Sequence, residues 1–148
     1  MRSLGLMIAA GMLLMSGLAL ADQDAVLGSW LTDGGKSRVE IEHCGDALCG
    51  KITWLAEPTY PEGDEMAGQV KVDRENPDEA LRQRPIMGLQ LLSGFHYDDN
   101  DLWSGGKIYD PRNGKTYSCK MTLVDEHTLK VRGYIGFSLL GRTVIWTR

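Results

Sequence analysis

The side chains in this sequence with most chemistry to offer are three histidines, three cysteines and a short acidic run. His43, His96 and His127 lie too far apart for metal-ligand spacing. His43 continues the period-two face of Val39 and Ile41, which predicts an interior histidine satisfied by hydrogen bonds. His127 falls in a polar turn and is expected to be solvated. Asp98-Asp99-Asn100-Asp101 lacks the glycine and ligand spacing of a calcium loop and reads as a hairpin turn. The chain has no Gly-x-Ser-x-Gly elbow and no phosphate loop, so no catalytic residue is assigned. No metal and no cofactor is expected.

Cys44 and Cys49 flank a turn between two strand-like runs. A metal pair would need partner ligands that the chain does not offer elsewhere, so the spacing favours a disulfide. Such a bond belongs to an oxidising compartment. Cys119 is left over. It alternates with Tyr117, Met121 and Leu123 and is expected to be a buried, inert thiol.

The other conspicuous side chains are aromatic. Trp30, Trp54, Trp103 and Trp146 fall on different strand-like runs. Tryptophans so spread fill a core, or they line a pocket when the interior is incompletely filled. Residues 135–141, Ile-Gly-Phe-Ser-Leu-Leu-Gly, form an apolar connection where a polar one is expected. We expect Phe137 to insert into one end of the domain with Leu140 nearer the rim, because exposed contiguous apolar side chains invite aggregation. The candidate ligand-binding set is therefore Trp54, Trp103, Tyr109, Tyr117, Phe137 and Leu140.

These residues must be positioned by strands. Residues 1–21 carry Arg2, an apolar run from Leu4 to Leu18 and an Ala19-Leu20-Ala21 ending. This is the form of a cleavable secretion signal. The formal charge of −4 becomes −5 once Arg2 is removed, a poor match to nucleic acid. No later segment is long and apolar enough to span a membrane. Residues 22–148 then form one domain, placed in the periplasm or secreted.

Within that domain the dominant period is two. Strands are expected at Val26 to Leu31, around Val39 and Ile41, at Lys51 to Leu55, Ile86 to Tyr97, Leu102 to Tyr109, Thr116 to Leu123, Leu129 to Tyr134 and Arg142 to Thr147. Asp33-Gly34-Gly35, Asn113-Gly114 and Asp125-Glu126-His127 separate them. About eight antiparallel strands joined by tight turns predict an all-β, up-and-down barrel. One long loop, 56–85, is expected to run over the surface. Within it Asn76 caps a short helix from Pro77 to Gln83, with Glu79 completing a capping box.

Gly28-Ser29-Trp30 resembles the Gly-x-Trp of lipocalin-type barrels. The resemblance implies that Trp30 closes the barrel base beneath an arginine, with Arg132, Arg142 and Arg148 as candidates. Further segments extend it: Leu48-Cys49-Gly50-Lys51-Ile52, Arg84-Pro85-Ile86-Met87-Gly88, Gly106 to Pro111, Asn113 to Tyr117, Leu129 to Tyr134 and Trp146-Thr147-Arg148. With these, nearly all of residues 22–148 resembles the bacterial secreted family called domain of unknown function 2147. That resemblance implies a lipocalin-like barrel and carries no catalytic residue over.

The expected function is binding of a small apolar or amphipathic molecule. The alternative is an envelope structural or protein-partner module with a filled barrel. An enzyme using barrel-lining carboxylates or tyrosines is the third reading. An interior cavity of a few hundred Å³ would favour the ligand.

Overall fold

Among the described residues, alternation of apolar and polar residues produces eight strands: β1 (Gly28–Leu31), β2 (Ser37–Cys44), β3 (Ala47–Leu55), β4 (Gln90–Asp99), β5 (Leu102–Asp110), β6 (Lys115–Asp125), β7 (Thr128–Tyr134) and β8 (Gly141–Thr147). They close in chain order into an antiparallel barrel, so the expected all-β, lipocalin-like architecture is the one observed. The computed structural model describes residues 23–137 and 139–148. The expected signal segment and its cleavage site lie outside the described residues.

The inward face is apolar and densely filled. Trp30, Val39, Ile41, Leu92, Phe95, Trp103, Cys119, Met121, Leu129 and Val131 are at most 1% exposed. Two glycines make this packing feasible. A Cβ on Gly106 would stand 2.5 Å from the Phe95 ring, and one on Gly50 would stand 2.9 Å from Leu92 Cδ1. Both positions face inward and leave room for a large neighbour.

The base of the barrel is closed by the segment that precedes β1 and by Arg148. Residues 24–27 turn beneath β1, where Leu27 N donates to Asp24 O. Trp30 Nε1 donates to Val26 O at 2.8 Å, and Trp103 Nε1 donates to Gln23 O at 3.1 Å. The Arg148 guanidinium lies 4.2 Å from the Trp30 ring centroid, a cation–π arrangement. Of the three candidate arginines, Arg148 is therefore the one over Trp30. Arg132 instead donates to Thr143 Oγ1 on the outer face, and Arg142 sits at the opposite end of β8. Gly28 adopts φ 112° directly under Arg148 Nη1, a conformation that favours glycine.

Several local expectations need correction. The first strand starts at Gly28 rather than Val26, because Val26 belongs to the base turn. The fourth starts at Gln90 rather than Ile86, because Met87-Gly88 turns at φ 86° before the ladder begins. His43 is exposed and meets Asp24 Oδ1 at 2.9 Å, so it is no interior histidine. The helix expected from Pro77 to Gln83 is a single 3-10 turn, Glu79–Leu81, capped by Asp78 rather than Asn76. Asn100 and Asp101 take φ 48° and 59° in the β4–β5 turn, as a tight hairpin requires.

Cys44 and Cys49 form the expected disulfide across the β2–β3 turn. Cys119 is free and buried, and burial pushes its thiol up to about 12. Thiol titration should therefore find no reactive thiol in the native protein and one after unfolding without reductant. Three thiols on unfolding would remove the disulfide from the account. Trp30→Ala should cost about 3–5 kcal/mol in denaturant unfolding, as large core truncations do. A loss below about 1 kcal/mol would place the closure of the base elsewhere.

Candidate functional site

The proposed ligand-binding residues do not converge. Trp103 is fully buried, with its ring centroid 5.3 Å from that of Tyr97. It belongs to the filled core, not to a pocket. Trp54 is 43% exposed near the loop end of β3. Tyr117 faces inward beside Ile108 at the loop end, and its hydroxyl accepts from Asn113 Nδ2 at 2.9 Å. Tyr109, one residue beyond the inward Ile108, must face outward, since successive strand side chains alternate.

Phe137 is not inserted. It is 76% exposed, and Ile135, Leu139 and Leu140 are 68%, 89% and 67% exposed. The ladder explains the outcome. Gly133↔Arg142 and Tyr134↔Gly141 continue the β7–β8 pairing to the tip. Ile135 N then donates to Leu140 O, and Leu140 N to Phe137 O. These bonds fold the tip back on itself beyond the last ladder pair, and its described apolar side chains stay exposed.

Filling is uneven along the barrel axis. Inward residues near the base are almost wholly buried, whereas Ile108, Tyr117, Gly133 and Val144 near the loop end are only half-buried. Gly133 contributes no side chain there, and Arg142, the second residue of β8, is exposed. Asp110, at the same end, lies below its usual carboxylate range: burial pushes it up, but hydrogen bonds from Arg112 and the charges of Arg112 and Arg142 pull it down. The mouth thus carries an apolar tip and arginines on one side.

The long loop holds the surprise. Expected to be a surface excursion, it contains a fully buried carboxylate, Asp73. Tyr109 donates to Asp73 Oδ1 at 2.6 Å, and both Asn76 Nδ2 and Arg84 Nε donate to Asp73 Oδ2 at 2.8 Å. Asn76 Oδ1 also accepts from Asp78 N, which fixes the Asn76 amide in this network. Tyr60, also buried, donates to Val72 O and accepts from Val72 N through its hydroxyl. Its ring lies 4.1 Å under the Arg74 guanidinium, which grips Asp64 through two hydrogen bonds of 2.8 Å. The loop therefore has a small polar core of its own, pinned to the outer wall at Tyr109.

Between the pinned loop and the outer face of β4–β6 lies an open cleft of about 280 Å³, lined by Asn76, Arg84, Gln90, Ser93, Tyr109 and Thr116 among others. The segments Arg84 to Gly88, Gly106 to Pro111 and Asn113 to Tyr117 meet around it. A second depression of about 370 Å³ lies beside Asp64 and Arg74 on the loop itself. Nothing in Val72-Asp73-Arg74 distinguishes a buried aspartate from a surface one, so sequence reasoning missed it. Among the described residues, the group of candidate metal ligands lying close together is Glu42 with Cys44 and Cys49, whose sulfurs are bonded to each other.

Burial first, and then the bond to Asp73, push the Tyr109 phenol from 10.0 up to about 12. The native state keeps a proton that the unfolded chain releases near pH 10. Tyr109 therefore stabilises the fold below that pH, and this contribution is lost as pH rises from 10.0 to about 12. The urea midpoint of the wild type should fall more steeply across that window than the midpoint of Tyr109→Phe. Parallel declines would show that the loop is not held by this bond.

Comparison with curated protein sequences gave no significant match. Among solved structures the chain is similar to HP1028 from the human pathogen Helicobacter pylori, described as belonging to the lipocalin family. The two share 23% identity at a TM-score of 0.70, over 83% of this chain and 82% of the other. At that identity the likeness speaks to the fold. The model of a family described as "uncharacterized protein conserved in bacteria", domain of unknown function 2147, matches residues 28–148, and the chain belongs to that family.

Proposed function

We propose that this protein is an exported binding barrel that takes a small amphipathic molecule at its loop-side mouth. The observation that carries the reading is the 135–140 tip, where Ile135, Phe137, Leu139 and Leu140 stand 67–89% exposed. Such a patch marks a contact surface. Arg142 follows directly, and Arg112, 73% exposed, joins it around Asp110. An apolar tip beside arginines suits a molecule with an apolar tail and an anionic head. Export is supported by the form of residues 1–21 and by the Cys44–Cys49 disulfide.

The filled base limits how deep such a molecule enters. The half-buried ring of Ile108, Tyr117, Gly133 and Val144 is as far as such a molecule would reach, so part of the tail would lie against the tip. The same filled interior favours a second reading, in which the tip docks on an envelope protein.

Titration with dodecanoate and, separately, dodecylamine separates these cases. Saturable binding of dodecanoate, weaker with dodecylamine, is the expected result. Phe137→Ser should weaken it by at least about tenfold, since burying such a side chain is worth about 1.5–3 kcal/mol. The melting temperature should hardly change, because Phe137 touches no core. If neither amphiphile binds, the ligand reading falls and docking on an envelope protein takes its place.

A further inference from the structure

We propose that the outer-wall cleft between the pinned loop and β4–β6 is a second binding site, for a small oxyanion group held by Arg84. The argument starts from how Arg84 is fixed. Its Nε is committed to Asp73, whose oxygens also accept from Asn76 and Tyr109, and its guanidinium lies 5.7 Å from the Tyr109 ring centroid. These contacts hold the guanidinium plane before any ligand arrives. Among the described residues no hydrogen bond takes up Nη1 or Nη2. The side chain keeps 37% exposure and lines the cleft. A guanidinium fixed through Nε still has a fork of N–H donors, the geometry that matches a carboxylate or phosphate.

The rest of the lining suits that ligand. Ser93 and Thr116 supply hydroxyls and Gln90 an amide, groups that can donate to further oxygens. Asp73 is fully buried and pairs with Arg84 through Nε, so the rest of the guanidinium is presented to the cleft. The wall is held in place by Gly114 at φ 69°, where a Cβ would collide with the Glu75 carbonyl. The volume of about 280 Å³ fits a small molecule. This site is separate from the apolar tip and does not depend on it.

Calorimetric titration with inorganic phosphate and, in a second series, succinate tests the site, in chloride buffer at constant ionic strength. Saturable one-site binding of either ion is expected, and the better of the two identifies the headgroup. Ser93→Ala combined with Thr116→Val leaves the Asp73 network intact and should weaken binding about tenfold, the scale of one or two lost hydrogen bonds. Arg84→Lys keeps a cation near Asp73 but removes the fork, and should weaken it further. Absence of saturable heat with both ions would overturn the proposal. So would unchanged affinity in the Ser93/Thr116 double variant, which decides the matter even if Arg84→Lys fails to fold.

Discussion

The barrel depends on one narrow seam and on the arginine that fastens it. Adjacent strands elsewhere pair over several residues, but β1 meets β8 at the single register pair Leu31↔Thr147. A barrel closed so thinly would expose strand edges if the ends parted. Arg148 crosses the gap. Nη1 and Nη2 donate to Leu27 O and Ala25 O on the N-terminal side, and Nε donates to Glu126 O on the β6–β7 turn. The same cation covers the Trp30 ring, so backbone closure and core packing share one side chain.

From that closure follows the polarity of the molecule. The base is sealed by the 24–27 turn, Trp30, Trp103 and Arg148, and its inward residues are fully buried. Among the described residues, the other end has no comparable plug. Three of its four connections are short, and the fourth turns aside to pack on the outer wall through Asp73 and Tyr109. The mouth is left with half-buried side chains and a projecting apolar hairpin. Rigidity gathers at one end, and available surface at the other.

Much of this was legible in the residues. Alternation at Val39-Ile41 and from Tyr117 to Leu123 marked strands because one face must be buried and the other solvated. The Cys44–Cys49 spacing and the acidic turn before Leu102 were local features that local chemistry decides. What escaped were choices made by tertiary contact. His43 has the parity of an inward residue, yet it lies where β2 leaves the barrel and Asp24 waits outside. Phe137 was expected inside because apolar side chains gain by burial, but hydrogen bonds of the β7–β8 ladder direct the hairpin outward. Asp73 reads as one more charge in a charged loop; only the fold shows that Asn76, Arg84 and Tyr109 surround it.

Asp73 also shows why the loop has a definite position at all. A carboxylate removed from water is costly unless its oxygens are fully bonded. Here each oxygen is accounted for, and the partners come from three places: Asn76 beside it in the chain, Arg84 at the end of the loop, and Tyr109 on the barrel wall. Any displacement of the loop would leave the charge buried with too few donors. An apolar contact in the same place would tolerate sliding, since burial of surface has no direction. The polar network therefore acts as a register pin, and it holds the cleft walls at a fixed separation. The fold holds a guanidinium rigidly at the cleft, where a ligand would not have to supply the ordering.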